Sequence, residues 1–235
     1  MELSFTKLRL FRECPWKYRL RMVEGRRSPL TPAASLGLSL HRTLECFHRH
    51  EAPEEADLWD CYEKRFMSSG YPDEAARDKW RGKGRRILEA YLEDERERRT
   101  VIVAVEREFV YPLGRHEVRG MIDRMDRHPD GSLELIDYKT GDAGESAEPM
   151  DELQLRFYGL GCVESLALTP ALLTIFFVAS RRRRSAAYDP AGDEGLKRLI
   201  QETADRIEAG DFPPDASFCP RCEFRKDCRC SAAGA

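Results

Sequence analysis

Between residues 101 and 139 the chain reads as three consecutive strands, and no other stretch limits its fold so tightly. VIVAVEREFVY (101–111) is β-branched and aromatic with a period of two. EVRGMIDRMD (117–126) predicts a second strand, and HPDGS (128–132) carries the turn residues that lead into a third, LELIDYK (133–139). Leu153, Phe157 and Leu160 then predict a helix, and LLTIFFVA (172–179) a fourth strand buried on both faces. Ahead of the run, Leu36, Leu40, Leu44 and Phe47 recur at helical spacing. The order helix, three strands, helix, strand is an αβββαβ unit of the α/β class.

The rest of the chain decorates that unit. Residues 3–24 predict two short helices, the first capped by Thr6 and the second opened by Pro15. Residues 26–35 read as a loop, and 52–100 as further helices broken at Ser68-Ser69-Gly70 and Pro72. A last helix from about Asp193 to Ala209 precedes a Pro-Pro turn and a cysteine-rich tail. At 235 residues the chain fits a single domain. Within it lie an N-terminal helical motif (1–30), a helical region (36–100), a core (101–180) and a C-terminal helix with the tail (190–230). The net charge of −3 excludes a polycation that coats nucleic acid by bulk charge. Local basic stretches remain at Lys7–Arg27, Arg77–Arg86 and Arg181–Arg184. The longest apolar run, Ala171–Ala179, is strand-sized, so no membrane span is expected. MELSFTKLRLFREC has no apolar signal core, and the expected location is cytoplasmic.

The third strand carries the chemistry. Alternation places Leu133, Leu135, Asp137 and Lys139 on one face. Met121, Asp123 and Met125 alternate likewise, and the hairpin can bring Asp123 beside Asp137. Two close carboxylates repel unless a divalent cation such as Mg²⁺ or Mn²⁺ neutralises them. Such an ion can polarise a phosphate and acidify water, while the lysine offsets charge in the transition state. A surface hairpin with a salt bridge has the same local pattern. Glu106 is either a further carboxylate near this site or a solvated strand residue. His41, Glu45 and His48 share a helical face as H-x₃-E-x₂-H, and Gln154 and Tyr158 share another.

Of eight cysteines, Cys219, Cys222, Cys228 and Cys230 crowd the tail. With no secretory signal, ligation is a better reading than a disulfide framework. C-x₂-C-x₅-C supplies three soft ligands and needs a fourth, for zinc or for an iron–sulfur cluster. Cys46, Cys61 and Cys162 are expected to be buried small hydrophobes.

GMIDRMD followed by LIDYKTG resembles motifs II and III of the RecB-like branch of the PD-(D/E)XK nucleases. LSFTKLRLFRECPWKY is similar to that branch's N-terminal helical motif, LGLSLHRTLE to its G-x-x-x-H helix, and QLRFY to its Q-x-x-x-Y helix. The resemblance implies a restriction-endonuclease-like αβββαβ core with added N-terminal helices and a C-terminal Fe–S cysteine tail. It makes His41, Asp123 and Asp137 the ligands of Mg²⁺ or Mn²⁺ and Lys139 the catalytic lysine, with Gln154 and Tyr158 lining the site. The second acid is Asp137 where many nucleases of this fold carry Glu, although Asp is common in the RecB-like branch. In AddB-type nucleases and CRISPR-associated adaptation exonucleases, one N-terminal and three C-terminal cysteines hold a [4Fe–4S] cluster. The matching residues are Cys14, Cys219, Cys222 and Cys228, with Cys230 outside the pattern and zinc as the alternative occupant. The implied activity is metal-dependent DNA hydrolysis, as an exonuclease on single-stranded or unwound ends in repair or recombination. A CRISPR adaptation nuclease that trims spacer precursors and a catalytically silent DNA-binding subunit are the competing readings. A helicase or a CRISPR integrase would be the corresponding partner.

Overall fold

The computed structural model describes residues 1–141 and 149–230. Strand β3 (His116–Arg127) is the spine of a six-stranded mixed sheet. On one edge it pairs antiparallel with β2 (Val101–Leu113) along nearly its whole length. The other edge is shared. Strand β1 (Glu2–Ser4) runs parallel to residues 117–119, and β4 (Leu133–Lys139) runs antiparallel to residues 124–127. The two registers leave residues 120–123 of β3 between them. Strand β5 (Leu172–Phe177) pairs parallel with β4, and β6 (Arg182–Ala187) pairs antiparallel with β5.

Helices cover both faces. On one, α3 (Pro32–His48), α4 (Glu55–Arg65) and α5 (Glu74–Glu97) bury Leu40, Leu44, Leu58, Tyr62, Leu88 and Tyr91 against Ile136, Tyr138, Phe176 and Val178. On the other, α1 (Phe5–Glu13), α6 (Pro149–Leu166) and α7 (Asp193–Glu208) pack Leu8, Phe157, Leu160 and Ile200 on Leu135, Leu173, Ile175 and Phe177. Each such side chain contributes about 1.5–3 kcal/mol on burial. Strand β5 is covered on both sides, as its unbroken apolar run requires. A short helix α2 (Pro15–Tyr18) follows α1 and continues into a wider turn, Arg19–Val23. No helix among the described residues is long and apolar enough to cross a membrane.

Several expectations need correction. The first residues form β1, not a helix, because β3 offers them an unpaired edge; the cap of α1 is therefore Ser4, which accepts from the Lys7 amide, and not Thr6. Strand β5 ends at Phe177, and the arginine run becomes the edge strand β6. Arg181 is held by Asp94 and Glu93, while Arg183 and Arg184 lie over the rings of Phe176 and Phe177. Three of the four arginines in that run are therefore engaged within the fold. The other basic stretches are also partly neutralised: Lys7 pairs with Glu2, Lys17 with Glu13 and Glu223, and Arg77 with Glu74. Cys162 is fully buried as expected, but Cys46 and Cys61 form a disulfide between α3 and α4.

Alternation on β3 also fails at one point. Val118 and Ile122 face the core under α6, and so does Met125, three residues on. Met121, expected beside Met125, is exposed. Arg124 turns to the opposite face, where it is buried against Glu95, Tyr91, Tyr138 and His48. The switch of faces falls at Asp123, across from Glu106 of β2, whose φ of 47° lies in the left-handed region.

Candidate active site

The gap between the two ladders on β3 fixes Asp123. Beyond the Arg124–Ile136 pair the β3–β4 ladder stops, and Asp123 Oδ2 accepts the Tyr138 backbone N–H at 2.8 Å in place of a backbone carbonyl. A side chain thus closes the sheet where the strands part, and Asp137 lies next to it on β4. Helix α3 reaches the same fork from one face, with His41 Nδ1 3.6 Å from Asp123 Oδ2. Gly37, one turn earlier, permits that approach: a Cβ there would come within 2.7 Å of Thr140 Oγ1, just past Lys139. This is the structural reason for glycine in the G-x-x-x-H pattern.

Helix α6 arrives from the other face. Gln154 Nε2 donates to Asp137 Oδ1 at 2.8 Å and to the Tyr158 hydroxyl at 2.9 Å, while its Oε1 accepts from Lys139 Nζ at 2.6 Å. Both amide protons and the carbonyl are used, which fixes the amide's orientation. Lys139 Nζ also lies 2.8 Å from Asp137 Oδ2, as an ion pair without hydrogen-bond alignment. Asp137 Oδ2 is consequently a buried oxygen without a hydrogen bond. Burial, and then the charge of Asp137, raise the Asp123 pKa against the opposing pull of His41, the Tyr138 amide and Lys139. Glu106 is pushed up to about 7 by burial and by Asp123 and Glu45. Tyr158 is raised by burial and by Asp137, so its phenol stays protonated near neutral pH.

The fold therefore brings together His41, Asp123, Asp137, Lys139, Gln154 and Tyr158. It does not include His48, which packs in the core with its Nε2 2.5 Å from the Tyr91 hydroxyl. It does place Glu106 beside the acids. The strand pattern left that residue ambiguous, because alternation cannot foresee a left-handed residue in a strand.

A sequence model of the PD-(D/E)XK nuclease superfamily matches residues 2–229. The chain belongs to the PD-(D/E)XK nuclease superfamily. Nucleases of this superfamily use divalent metals. The mixed α/β fold of this PD-(D/E)XK chain agrees with a solved candidate exonuclease from Eubacterium rectale. That protein is 13% identical over 100% of this chain and 88% of its own, with a TM-score of 0.52. A second solved structure, of the protein SSO0001, is 16% identical over 92% of this chain and 94% of its own, with a TM-score of 0.41. No curated protein matches the sequence.

Cys14, from the first helices, and Cys219, Cys222, Cys228 and Cys230, from the tail, line one pocket, walled by Trp16, Leu20 and Phe218. All five are free thiols. The Asp215 amide donates to Cys14 Sγ at 3.3 Å, which joins the two ends of the chain.

Proposed function

We propose that the chain is a divalent-metal-dependent deoxyribonuclease of the RecB-like branch. In this reading it hydrolyses single-stranded or unwound DNA from its ends, in repair or recombination. The observation that carries the reading is the fork in the sheet, where two acids and a lysine meet a histidine from one face and a glutamine from the other. Hard carboxylate oxygens suit Mg²⁺ or Mn²⁺, and the buried Asp137 Oδ2 without a hydrogen bond is the kind of atom that a cation satisfies. His41, Asp123 and Asp137 would hold the ion. When bound, it supplies Lewis-acid polarisation of the phosphate and acidification of water. The chain's own residues do the rest. Gln154 holds the Lys139 ammonium beside Asp137, placed to orient the attacking water or to offset charge building on the phosphate. Tyr158, kept neutral, fixes Gln154.

The same reading assigns Cys14, Cys219, Cys222 and Cys228 to a [4Fe–4S] cluster that joins the chain ends, with zinc as the alternative. Five free thiols line the tail pocket, enough ligands for either occupant. A helicase partner fits the repair role and an integrase the CRISPR adaptation role, and the neighbouring genes would separate them.

The test uses end-labelled single- and double-stranded DNA beside closed circular DNA, with Mg²⁺ or Mn²⁺ and after chelation. Linear DNA should be degraded, circles spared, and chelation should stop the reaction. Asp123→Asn, Asp137→Asn and Lys139→Ala should each slow cleavage by about a hundredfold or more with DNA still bound. DNA retention without cleavage by the wild type would support the silent binding subunit instead.

A further inference from the structure

Helices α3 and α4 meet at a second group of ligand side chains, apart from the acids and from the tail. Cys46 lies near the end of α3, His50 in the turn that follows, and Cys61 in α4. Their sulfur and nitrogen atoms all lie within 4.8 Å of one another, with Cys61 Sγ 3.9 Å from His50 Nε2. The second imidazole nitrogen is also provided for. His50 Nδ1 lies 3.6 Å from Asp57 Oδ1, an ion-pair distance. Asp57 is itself fixed, because its Oδ2 accepts the Glu54 amide at 2.9 Å in the capping box that opens α4. A carboxylate behind an imidazole whose far nitrogen faces sulfur is the arrangement that sets the tautomer of a metal-bound histidine.

We propose that Cys46, His50 and Cys61 bind one zinc ion when the two cysteines are reduced, and that the Cys46–Cys61 disulfide is the metal-free oxidised form of this site. Two thiolates and an imidazole suit a borderline-soft ion with tetrahedral preference, unlike the oxygen-rich fork. Cys61 is buried while His50 is exposed, so water can complete the coordination from the open side. A peroxide interconverts the two forms with a balanced step. The two thiolates give up two electrons and join as the disulfide, hydrogen peroxide takes those electrons and two solvent protons to become two waters, and the zinc leaves. A phosphine with water returns the dithiol and is itself converted to the phosphine oxide. The site would tie α4 to the helix that carries His41. It does not depend on the nuclease reading.

The experiment uses the full chain carrying Cys14→Ser, Cys219→Ser, Cys222→Ser, Cys228→Ser and Cys230→Ser, which removes every thiol of the tail pocket. After phosphine reduction and removal of excess zinc, about one zinc per chain should remain. Cobalt in its place should give thiolate charge-transfer absorption and the visible bands of a tetrahedral ion. Peroxide should release the zinc in step with the loss of two titratable thiols. Adding Cys46→Ser and Cys61→Ser should abolish binding, and Asp57→Asn, which keeps an acceptor for Glu54, should weaken it about 10- to 100-fold. His50 is exposed, so His50→Gln should fold normally and still lose the tetrahedral cobalt spectrum. No zinc on the reduced protein, or equal zinc after the Cys46/Cys61 double replacement, would overturn the proposal and leave an ordinary disulfide.

Discussion

His41 and His48 stand seven residues apart on one helix and do opposite things, because one meets a carboxylate at a fork and the other meets the core. Burial, and then the charge of Arg124, push the His48 pKa down from 6.5 to about 4. Between those values the unfolded chain binds a proton that the folded chain does not, so stability falls as pH drops through that window. The loss is on the order of 3 kcal/mol. Asp126, raised by burial but held down to about 2 by Arg124, titrates below it. Urea unfolding at pH 7.5, 5.5 and 4.5 should show that loss in the wild type and a flatter profile in His48→Gln. His41→Ala should instead raise the metal concentration for half-maximal cleavage; a shifted melting curve with an unmoved metal titration would make His41 a packing residue. At this scale the sequence was readable where chemistry forces a pattern. Asp137 and Lys139 share a face because they are two apart in a strand. The turn of the chain at Asp123 and the strained backbone of Glu106 were not readable, since neither leaves a trace in hydrophobic periodicity.

The main helices and β4 and β5 followed their periodicity, since long apolar patterns report which face must be buried, whereas alternation broke on β2 and β3 around Glu106 and Asp123. The two elements missed, β1 and β6, are short edge strands. One is only three residues long and the other is rich in arginine, so their pairing is decided by the open edges of β3 and β5, not by their own composition. The contact of α3 with the end of β4 is the most exacting of the element contacts. Gly37→Ala should force α3 away from Thr140 and move His41 by a few tenths of an ångström or more. Cleavage should fall about 10- to 100-fold, since small misplacements of site residues are costly, while the melting temperature changes little. Thr140→Ala added to that variant removes the colliding hydroxyl and should restore most of the rate. Failure of the rescue would mean that the glycine serves helix packing elsewhere. At Gly161 of α6 the neighbour is different: a Cβ would strike the buried ring of Phe109, so Gly161→Ala should lower stability.

Across the whole molecule, the pocket of cysteines joins parts of the chain 201 residues apart. Replacing Cys14 or Cys222 by Ser should lower the iron content of anaerobically purified protein from about four atoms per chain. It should also make the N-terminal helices and the tail protease-sensitive together. Cys230→Ser should leave the iron in place, and loss of iron in that variant alone would move the fourth ligand. The spacing of the tail cysteines was visible in the sequence, whereas the enclosing ring of Trp16, Leu20 and Phe218 depends on long-range folding. The joining of the ends has a consequence for the order of events in a living cell. At about 5–20 residues per second, the ribosome takes roughly 10–40 s to add the stretch that separates Cys14 from Asp215. Throughout that interval the first helices have been made but the surface that covers Trp16 has not. The nascent chain must therefore carry its early helices uncovered until Phe212, Phe218 and Phe224 arrive to pack on Trp16.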